Sequence, residues 1–139
     1  MKRLLLITVL VLLVALSVTA VALATPPEEF SLKKICDLPP DVPACRLTEA
    51  TGPFSVLNGG LIVYQDRAYF ENTAGVFEVA RVVLTSEDGG SAMIGQIRWV
   101  KDHGYFTLGQ GTGDLSRLHA TGDIQWLEDA TFSLSGTYH

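Results

Sequence analysis

The sequence has few charged residues, and most of those are acidic. Charged residues make up 18% of the 139-residue chain, with 10 Lys and Arg against 15 Asp and Glu, so the formal net charge is −5. A protein that binds a nucleic-acid backbone needs a basic face, and one that docks on anionic lipid headgroups needs a basic cluster. The shortage of positive charge therefore argues against both kinds of partner.

The side chains that most often bind metals or carry catalysis are also scarce. The chain has 3 His and 2 Cys, and no serine lies in a Gly-x-Ser-x-Gly context. We expect His103 in a turn, His119 on a polar strand face and His139 at the chain end, which does not predict a three-histidine metal site. Residues 109–113 read Gly-Gln-Gly-Thr-Gly, but no helix pattern follows to receive a phosphate. The sequence therefore predicts no metal and no cofactor, and it nominates no catalytic residue.

Long hydrophobic runs are absent except at the N-terminus. Residues 4–24 form an aliphatic run behind Met-Lys-Arg, and residues 22–24 read Ala-Leu-Ala before Thr-Pro-Pro. A positive start, an apolar segment and a small-residue cleavage site are together typical of a secretory signal peptide. We predict that residues 1–24 are removed and that the protein is secreted, to the periplasm or the cell exterior, with no membrane attachment afterwards. The alternative is an uncleaved anchor with the rest of the chain outside, since the run is just long enough to span a bilayer.

Two cysteines, Cys36 and Cys45, flank a segment that contains three prolines. An even number of cysteines in a small exported domain favours a disulfide. A zinc site would need further ligands nearby, and a redox pair more usually reads Cys-x-x-Cys. We therefore predict a structural disulfide between Cys36 and Cys45. Residues 25–45 are expected to form an irregular N-terminal segment around this loop, with a short helix over residues 28–35.

From residue 46 onward the hydrophobic period changes to two. Short runs rich in Val, Ile, Thr, Phe, Tyr and Trp alternate with turn signals such as Asn-Thr-Ala-Gly at 72–75 and Glu-Asp-Gly-Gly at 87–90. Connections this short join antiparallel strands, because a parallel crossover needs a dozen or more residues. Residues 46–139 are therefore predicted to be an all-β antiparallel domain.

Alternation within the predicted strands suggests which side chains face inward. Gly95, Gly122 and Gly136 fall on the inward register beside large neighbours, and repeated inward glycines fit the coiling of a small closed barrel. We predict a barrel of about seven or eight strands, with a β-sandwich as the alternative. Trp99 and Trp126 also fall on inward registers, as core anchors or, alternatively, as aromatic residues that stack on a ligand in the barrel mouth.

The C-terminal third resembles a known group of proteins. Residues 111–115 read Gly-Thr-Gly-Asp-Leu, residues 118–122 read Leu-His-Ala-Thr-Gly, and residues 135–139 read Ser-Gly-Thr-Tyr-His. This pattern resembles the C-terminal signature of a family of small exported bacterial proteins of unknown function. It is also similar to the barrels of allene oxide cyclase and dirigent proteins. The resemblance implies an antiparallel barrel of about eight strands, but no catalytic residue is carried over, because a fold does not fix a function.

Two classes of function fit these observations. The first is a non-enzymatic binding or interaction module for a small apolar ligand or a protein partner, because no catalytic constellation is visible. The second is a cofactor-free isomerase or cyclase that acts on a small apolar ligand in the barrel mouth, which only the resemblance suggests. An enzyme should show an open mouth with a buried acid or base whose pKa is perturbed, whereas a mouth filled by large apolar side chains would argue against it.

Overall fold

The protein is an eight-stranded antiparallel β-barrel. The computed structural model describes residues 25–101 and 103–139, so the predicted signal peptide lies outside the described residues. Each strand pairs with the next, and the last strand pairs with the first, which closes the barrel. The strands are β1 (Glu28–Ile35), β2 (Ala44–Thr48), β3 (Leu61–Asn72), β4 (Gly75–Thr85), β5 (Ala92–Val100), β6 (His103–Thr112), β7 (Ala120–Glu128) and β8 (Thr131–Tyr138). The prediction of a barrel rather than a sandwich is confirmed.

The first strand replaces the short helix expected over residues 28–35. Glu28–Ile35 pairs with β8 along its whole length, from Glu28 opposite Tyr138 to Ile35 opposite Thr131. The helix prediction is wrong because it considered only local spacing, whereas pairing with a strand about a hundred residues away decides the conformation. The irregular, disulfide-bearing part of the N-terminal region is the loop of residues 36–43 between β1 and β2.

One end of the barrel is plugged, and we call it the closed end. Two short 3-10 helices, Gly52–Leu57 and Gly113–Leu115, lie in the connections at this end. Phe54, Leu57 and Leu115 in these helices are fully buried. The ring of Phe54 stacks on that of Phe30 from β1, with the ring centroids 4.0 Å apart. This apolar plug leaves the opposite end as the place where a site could open.

Inward glycines allow the strands to approach closely, as the sequence predicted. Gly122 in β7 and Gly136 in β8 are opposite one another. A Cβ atom on Gly122 would lie 2.7 Å from the Cα of Gly136 and 2.8 Å from the ring of Phe106. Side chains at these positions would collide with backbone, so glycine is required for the barrel to coil this tightly.

None of the helices within the described residues is long and apolar enough to cross a membrane.

Candidate functional site

A cleft opens at the end opposite the plug, which we call the mouth. The β1–β2 loop and the β3–β4, β5–β6 and β7–β8 turns all lie at this end. The cleft has a volume of about 520 Å³, within the range of ordinary small-molecule sites. One wall is the disulfide-bearing loop, which contributes Leu38, Pro39, Pro40, Val42 and Pro43. The other wall is formed by strands of the barrel, which contribute Lys34, Tyr64, Arg67, Glu78, Ile97, Trp99 and Phe132. The mouth is therefore lined by large side chains but not filled by them.

Lys34 is the buried charged residue of the cleft. It follows Phe30 and Leu32 on the inward face of β1, and the residue is only 5% exposed. Its Nζ donates a hydrogen bond to the hydroxyl of Tyr64, which is also buried. The same Nζ lies 5.0 Å from the centre of the Tyr64 ring and 4.6 Å from that of Phe132. Nζ thus contacts Tyr64 through its hydroxyl, at the edge of that ring, and lies over the ring of Phe132, an arrangement that stabilises a cation.

The surroundings of Lys34 lower its pKa. Burial is the main reason that the pKa of Lys34 falls from 10.5 to about 8, because the charged form loses its hydration. The nearby carboxylate of Glu78 opposes this fall, and the guanidinium of Arg67 adds to it. Burial also raises the pKa of the Tyr64 phenol, so that this hydroxyl stays protonated at neutral pH.

Arg67 and Glu78 form an ion pair beside Lys34. Arg67 Nη2 lies 2.8 Å from Glu78 Oε1, and the guanidinium carbon lies 4.6 Å from the centre of the Tyr64 ring. An irregularity in the pairing between Gln65 and Ala68 breaks the β3–β4 ladder at this point. Such bulges redirect side chains, and this one places Arg67 against Tyr64 and Glu78.

Trp99 lies in the cleft, where its inward register predicted it. Its ring packs edge-on against that of Phe132, with centroids 6.0 Å apart, and its Nε1 donates to the carbonyl of Lys101 at 2.7 Å. A Cβ atom on Gly104 would lie 2.5 Å from the Trp99 ring, so the indole lies flat against the backbone of β6. This geometry gives the cleft a fixed aromatic face.

Trp126 is not inside the barrel, and its prediction as an inward residue is wrong. The residue is 60% exposed and is not part of the cleft lining. The pairing of β7 with β8 becomes irregular between Trp126 and Glu128, and the Trp126 Nε1 donates to the carbonyl of Asp129 at 2.9 Å. Trp126 keeps its register opposite Phe132, but the pairing of β7 with β6 ends at Ile124, so at this rim no neighbouring strand covers the indole.

The loop of residues 36–43 is held in place by several contacts. The predicted disulfide between Cys36 and Cys45 joins its two ends. Arg46 donates two hydrogen bonds to the Asp37 carboxylate, at 3.1 and 2.5 Å, and this guanidinium lowers the pKa of Asp37. The backbone N–H of Cys36 donates to the carbonyl of Ala130 at 2.8 Å, which ties the loop to the β7–β8 turn. The proline-rich wall of the cleft is thus pinned at both ends.

The three histidines lie at opposite ends of the barrel. His103 begins β6 at the mouth, with its Nε2 3.6 Å from an oxygen of Asp123. His119 and His139 lie at the closed end, where their rings stack with centroids 5.7 Å apart. Within residues 25–101 and 103–139, no three His, Cys, Asp or Glu side chains are grouped so as to hold a metal ion.

A second concavity, on the barrel wall, contrasts with the mouth cleft. It has a volume of about 500 Å³ and is lined by Arg81, Gln96, Thr107, Gln110 and His119 together with apolar and glycine positions. All five of these polar side chains are exposed to solvent. The mouth cleft, with its buried lysine and fixed aromatic faces, is the better candidate for a selective site.

Sequence reasoning found Trp99 and the disulfide but missed Lys34, Tyr64, Arg67 and Glu78. Lys34 was missed because residues 28–35 were expected to form a helix. The signal was nevertheless present, since Phe30, Leu32 and Lys34 alternate as an inward-facing row does. A lysine that continues an apolar row is unusual, because lysine is rarely fully buried without a partner.

Comparison with known proteins finds no matching family model, no similar curated protein and no similar solved structure. The resemblance of the C-terminal third to allene oxide cyclase and dirigent barrels therefore stays a prediction. A disulfide is typical of proteins in oxidising compartments, which is consistent with a location outside the cytosol.

Proposed function

We propose that this protein is an exported binding module that holds a small, largely apolar molecule in the mouth cleft. The observation that supports the proposal is the open aromatic cleft, which is bounded by strands of the barrel and by the disulfide-bearing loop. Trp99 and Phe132 supply apolar faces from the barrel, and the pinned proline-rich loop supplies the opposite wall. Sites of this kind bury most of a small ligand and use a few polar groups to orient it.

The pre-formed shape of the cleft supports binding as the principal role. The loop wall is fixed by the disulfide and by hydrogen bonds to the β7–β8 turn, so little chain ordering is needed when a ligand enters. Pre-organisation reduces the entropic cost of binding and so increases affinity. Secretion, with removal of residues 1–24, belongs to this proposal, because it places the cleft where it can meet molecules outside the cell.

The proposal can be tested with 2-naphthylmethanol, a neutral aromatic probe of suitable size. Isothermal titration calorimetry should detect binding to the disulfide-bonded protein. Trp99→Ala should weaken it about tenfold or more, since truncating a well-packed aromatic contact commonly costs more than about 1 kcal/mol. Trp126→Ala is the matched control, because this exposed indole does not line the cleft. Equal affinities in the two variants would show that the probe does not bind in the mouth.

A cofactor-free isomerase or cyclase is the second candidate function, and the Lys34–Tyr64 pair favours it. An amine with a pKa of about 8 beside a phenol that stays protonated can exchange a proton with a bound molecule. The two functions differ in the fate of the ligand. A natural ligand that co-purifies and is recovered unchanged after prolonged incubation supports binding, whereas an isomerised product supports catalysis.

A further inference from the structure

The ammonium group of Lys34 has more hydrogen-bonding capacity than the protein uses. A protonated lysine carries three N–H donors, and Lys34 makes one side-chain hydrogen bond, to the neutral hydroxyl of Tyr64. Among the described residues no carboxylate forms an ion pair with Lys34. Glu78, which raises the pKa of Lys34, is itself paired with Arg67 at 2.8 Å. Within residues 25–101 and 103–139, the cleft thus contains a buried cation that no carboxylate neutralises through a direct ion pair.

A buried charge without a counter-ion is costly. An ammonium group that leaves water loses its hydration, and this cost remains large even after the protein relaxes around it. The hydroxyl of Tyr64 and the ring of Phe132 offset part of this cost, but they do not neutralise the charge. A methionine or leucine would continue the inward row of Phe30 and Leu32 at no such cost. An anion that enters through the mouth would pair with the Lys34 ammonium and remove this cost.

The shape and charge of the cleft restrict which anion fits. Trp99, Phe132 and the proline-rich loop require an apolar body, while Lys34 offers one uncompensated positive charge. The net charge is −5 for the whole chain and −7 without residues 1–24, which contain Lys2 and Arg3. This charge and the carboxylate of Glu78 at the cleft disfavour ligands with several negative charges. A single carboxylate on an aromatic or aliphatic body satisfies both requirements.

We propose that the ligand is an apolar monocarboxylic acid whose carboxylate pairs with the Lys34 ammonium while its body packs against Trp99 and Phe132. This inference rests on the proposed binding function and adds the chemical class of the ligand. The carboxylate accepts hydrogen bonds from the N–H groups of Lys34 that do not donate to Tyr64. The ligand supplies the counter-ion, so binding and neutralisation of the buried charge occur together.

The test compares two probes that differ in one group, 2-naphthoate and 2-naphthylmethanol. Calorimetry at about pH 7 should show that the acid binds at least about tenfold more tightly than the alcohol, because hydrogen bonds between two charged groups are stronger than those to a neutral hydroxyl. Lys34→Met keeps an apolar stem of similar length and should abolish this preference while binding of the alcohol persists. Lys33→Met is the matched control, since Lys33 is paired with Glu49 at 2.7 Å rather than buried in the cleft.

Two results separate this inference from the proposed function. Equal affinity for acid and alcohol, or a preference for the acid that survives in Lys34→Met, overturns the inference but leaves the binding function standing. Failure of both probes to bind overturns both. A Lys34→Met variant that fails to fold is replaced by Lys34→Gln, which removes the charge and keeps a polar group beside Tyr64.

The preference for the acid should also depend on pH. The groups that face Lys34 are Tyr64 and Arg67 from β3 and Glu78 from β4, while β5 and β8 contribute only the uncharged rings of Trp99 and Phe132. The phenol of Tyr64 stays protonated near pH 8, because burial raises its pKa. The acid preference should therefore decline as pH rises above about 8, as Lys34 loses its proton. A preference that stays constant from about pH 7 to about pH 9.5 would contradict the pairing.

Discussion

Lys34 lies at the point on β1 where the inward row of side chains passes from the core to the cleft. Phe30 and Leu32 before it belong to the barrel core, and Cys36 after it begins the loop that walls the cleft. Its amine therefore combines the burial of a core residue with access to the mouth. Both properties follow from register alone, because successive inward positions of a strand move steadily along the barrel axis.

The pKa of Lys34 predicts how stability changes with pH. The unfolded chain has a lysine pKa near 10.5, and burial lowers the folded value to about 8. Below pH 8 the amine is charged in both states, and the folded state bears the full cost of burying it. As pH rises from about 8 to about 10.5 the folded amine is neutral while the unfolded one remains charged, so stability increases in this window. The full difference is about 3 kcal/mol, since one pKa unit corresponds to about 1.4 kcal/mol.

Urea unfolding of the wild type and Lys34→Met at about pH 7 and about pH 9.5 measures this effect. The wild type should gain stability relative to the variant at the higher pH. Measurements should stay below about pH 10, because burial raises the pKa of Tyr64 and ionisation of this tyrosine in the unfolded chain would then oppose folding. Parallel pH profiles for the two proteins would contradict the burial of a charged Lys34.

At the level of single residues, the sequence predicted inward positions well where both neighbouring strands are regular. Ile97 and Ile124 are buried and Gln96 is exposed, as alternation predicts. The prediction that Trp126 is buried was wrong, because this residue lies at the rim, next to an irregular pairing that no local pattern reveals. Lys34 was missed because residues 28–35 were expected to form a helix, although Lys34 shares the inward register of Phe30 and Leu32.

The loop of residues 36–43 is the element that most directly shapes the cleft. The disulfide, the Asp37–Arg46 pair and the hydrogen bond to Ala130 hold it over the mouth. A double variant, Cys36→Ser with Cys45→Ser, should weaken binding of 2-naphthylmethanol and lower stability by about 2–3 kcal/mol, because the loop then gains freedom in the unfolded and the unbound states. Calorimetry and urea unfolding measure the two effects.

Asp37→Asn provides a control within the same loop. The Asp37–Arg46 pair is exposed, and exposed ion pairs usually contribute little to stability, whereas the disulfide joins the ends of the loop covalently. This variant should therefore bind the probe nearly as well as the wild type. Unchanged affinity in the double cysteine variant would show that the loop is not a wall of the binding site.

The alternation of Phe30, Leu32 and Lys34 in β1 was too weak a signal to distinguish a strand from the helix that local spacing favoured. Glu28–Ile35 contains two lysines and follows a proline pair, which is a weak strand signal. Its conformation is set by pairing with β8 at the other end of the chain, and this pairing closes the barrel. The later strands were easier to predict, because each pairs with its neighbour across a short turn whose residues are visible in the sequence.

Across the whole molecule, the two ends of the barrel have different roles. At the closed end, the buried side chains of Phe54, Leu57 and Leu115 fill the barrel interior and stabilise it. At the mouth, Trp99 and Phe132 line the open cleft, which also contains the buried Lys34. Composition and alternation predicted the barrel, but they could not show which end is plugged, because that depends on where the 3-10 helices fold back.

The most direct test of a mouth site is NMR spectroscopy of the isotope-labelled protein during titration with 2-naphthoate. The two indole N–H groups serve as paired reporters, since each donates to a nearby turn carbonyl, Trp99 inside the cleft and Trp126 outside it. We predict large shifts for the Trp99 indole and for the backbone amides of Lys34 and Phe132, with a much smaller shift for the Trp126 indole. Shifts concentrated at Gln110 and His119 on the wall concavity, or no shifts at all, would contradict a binding site in the mouth.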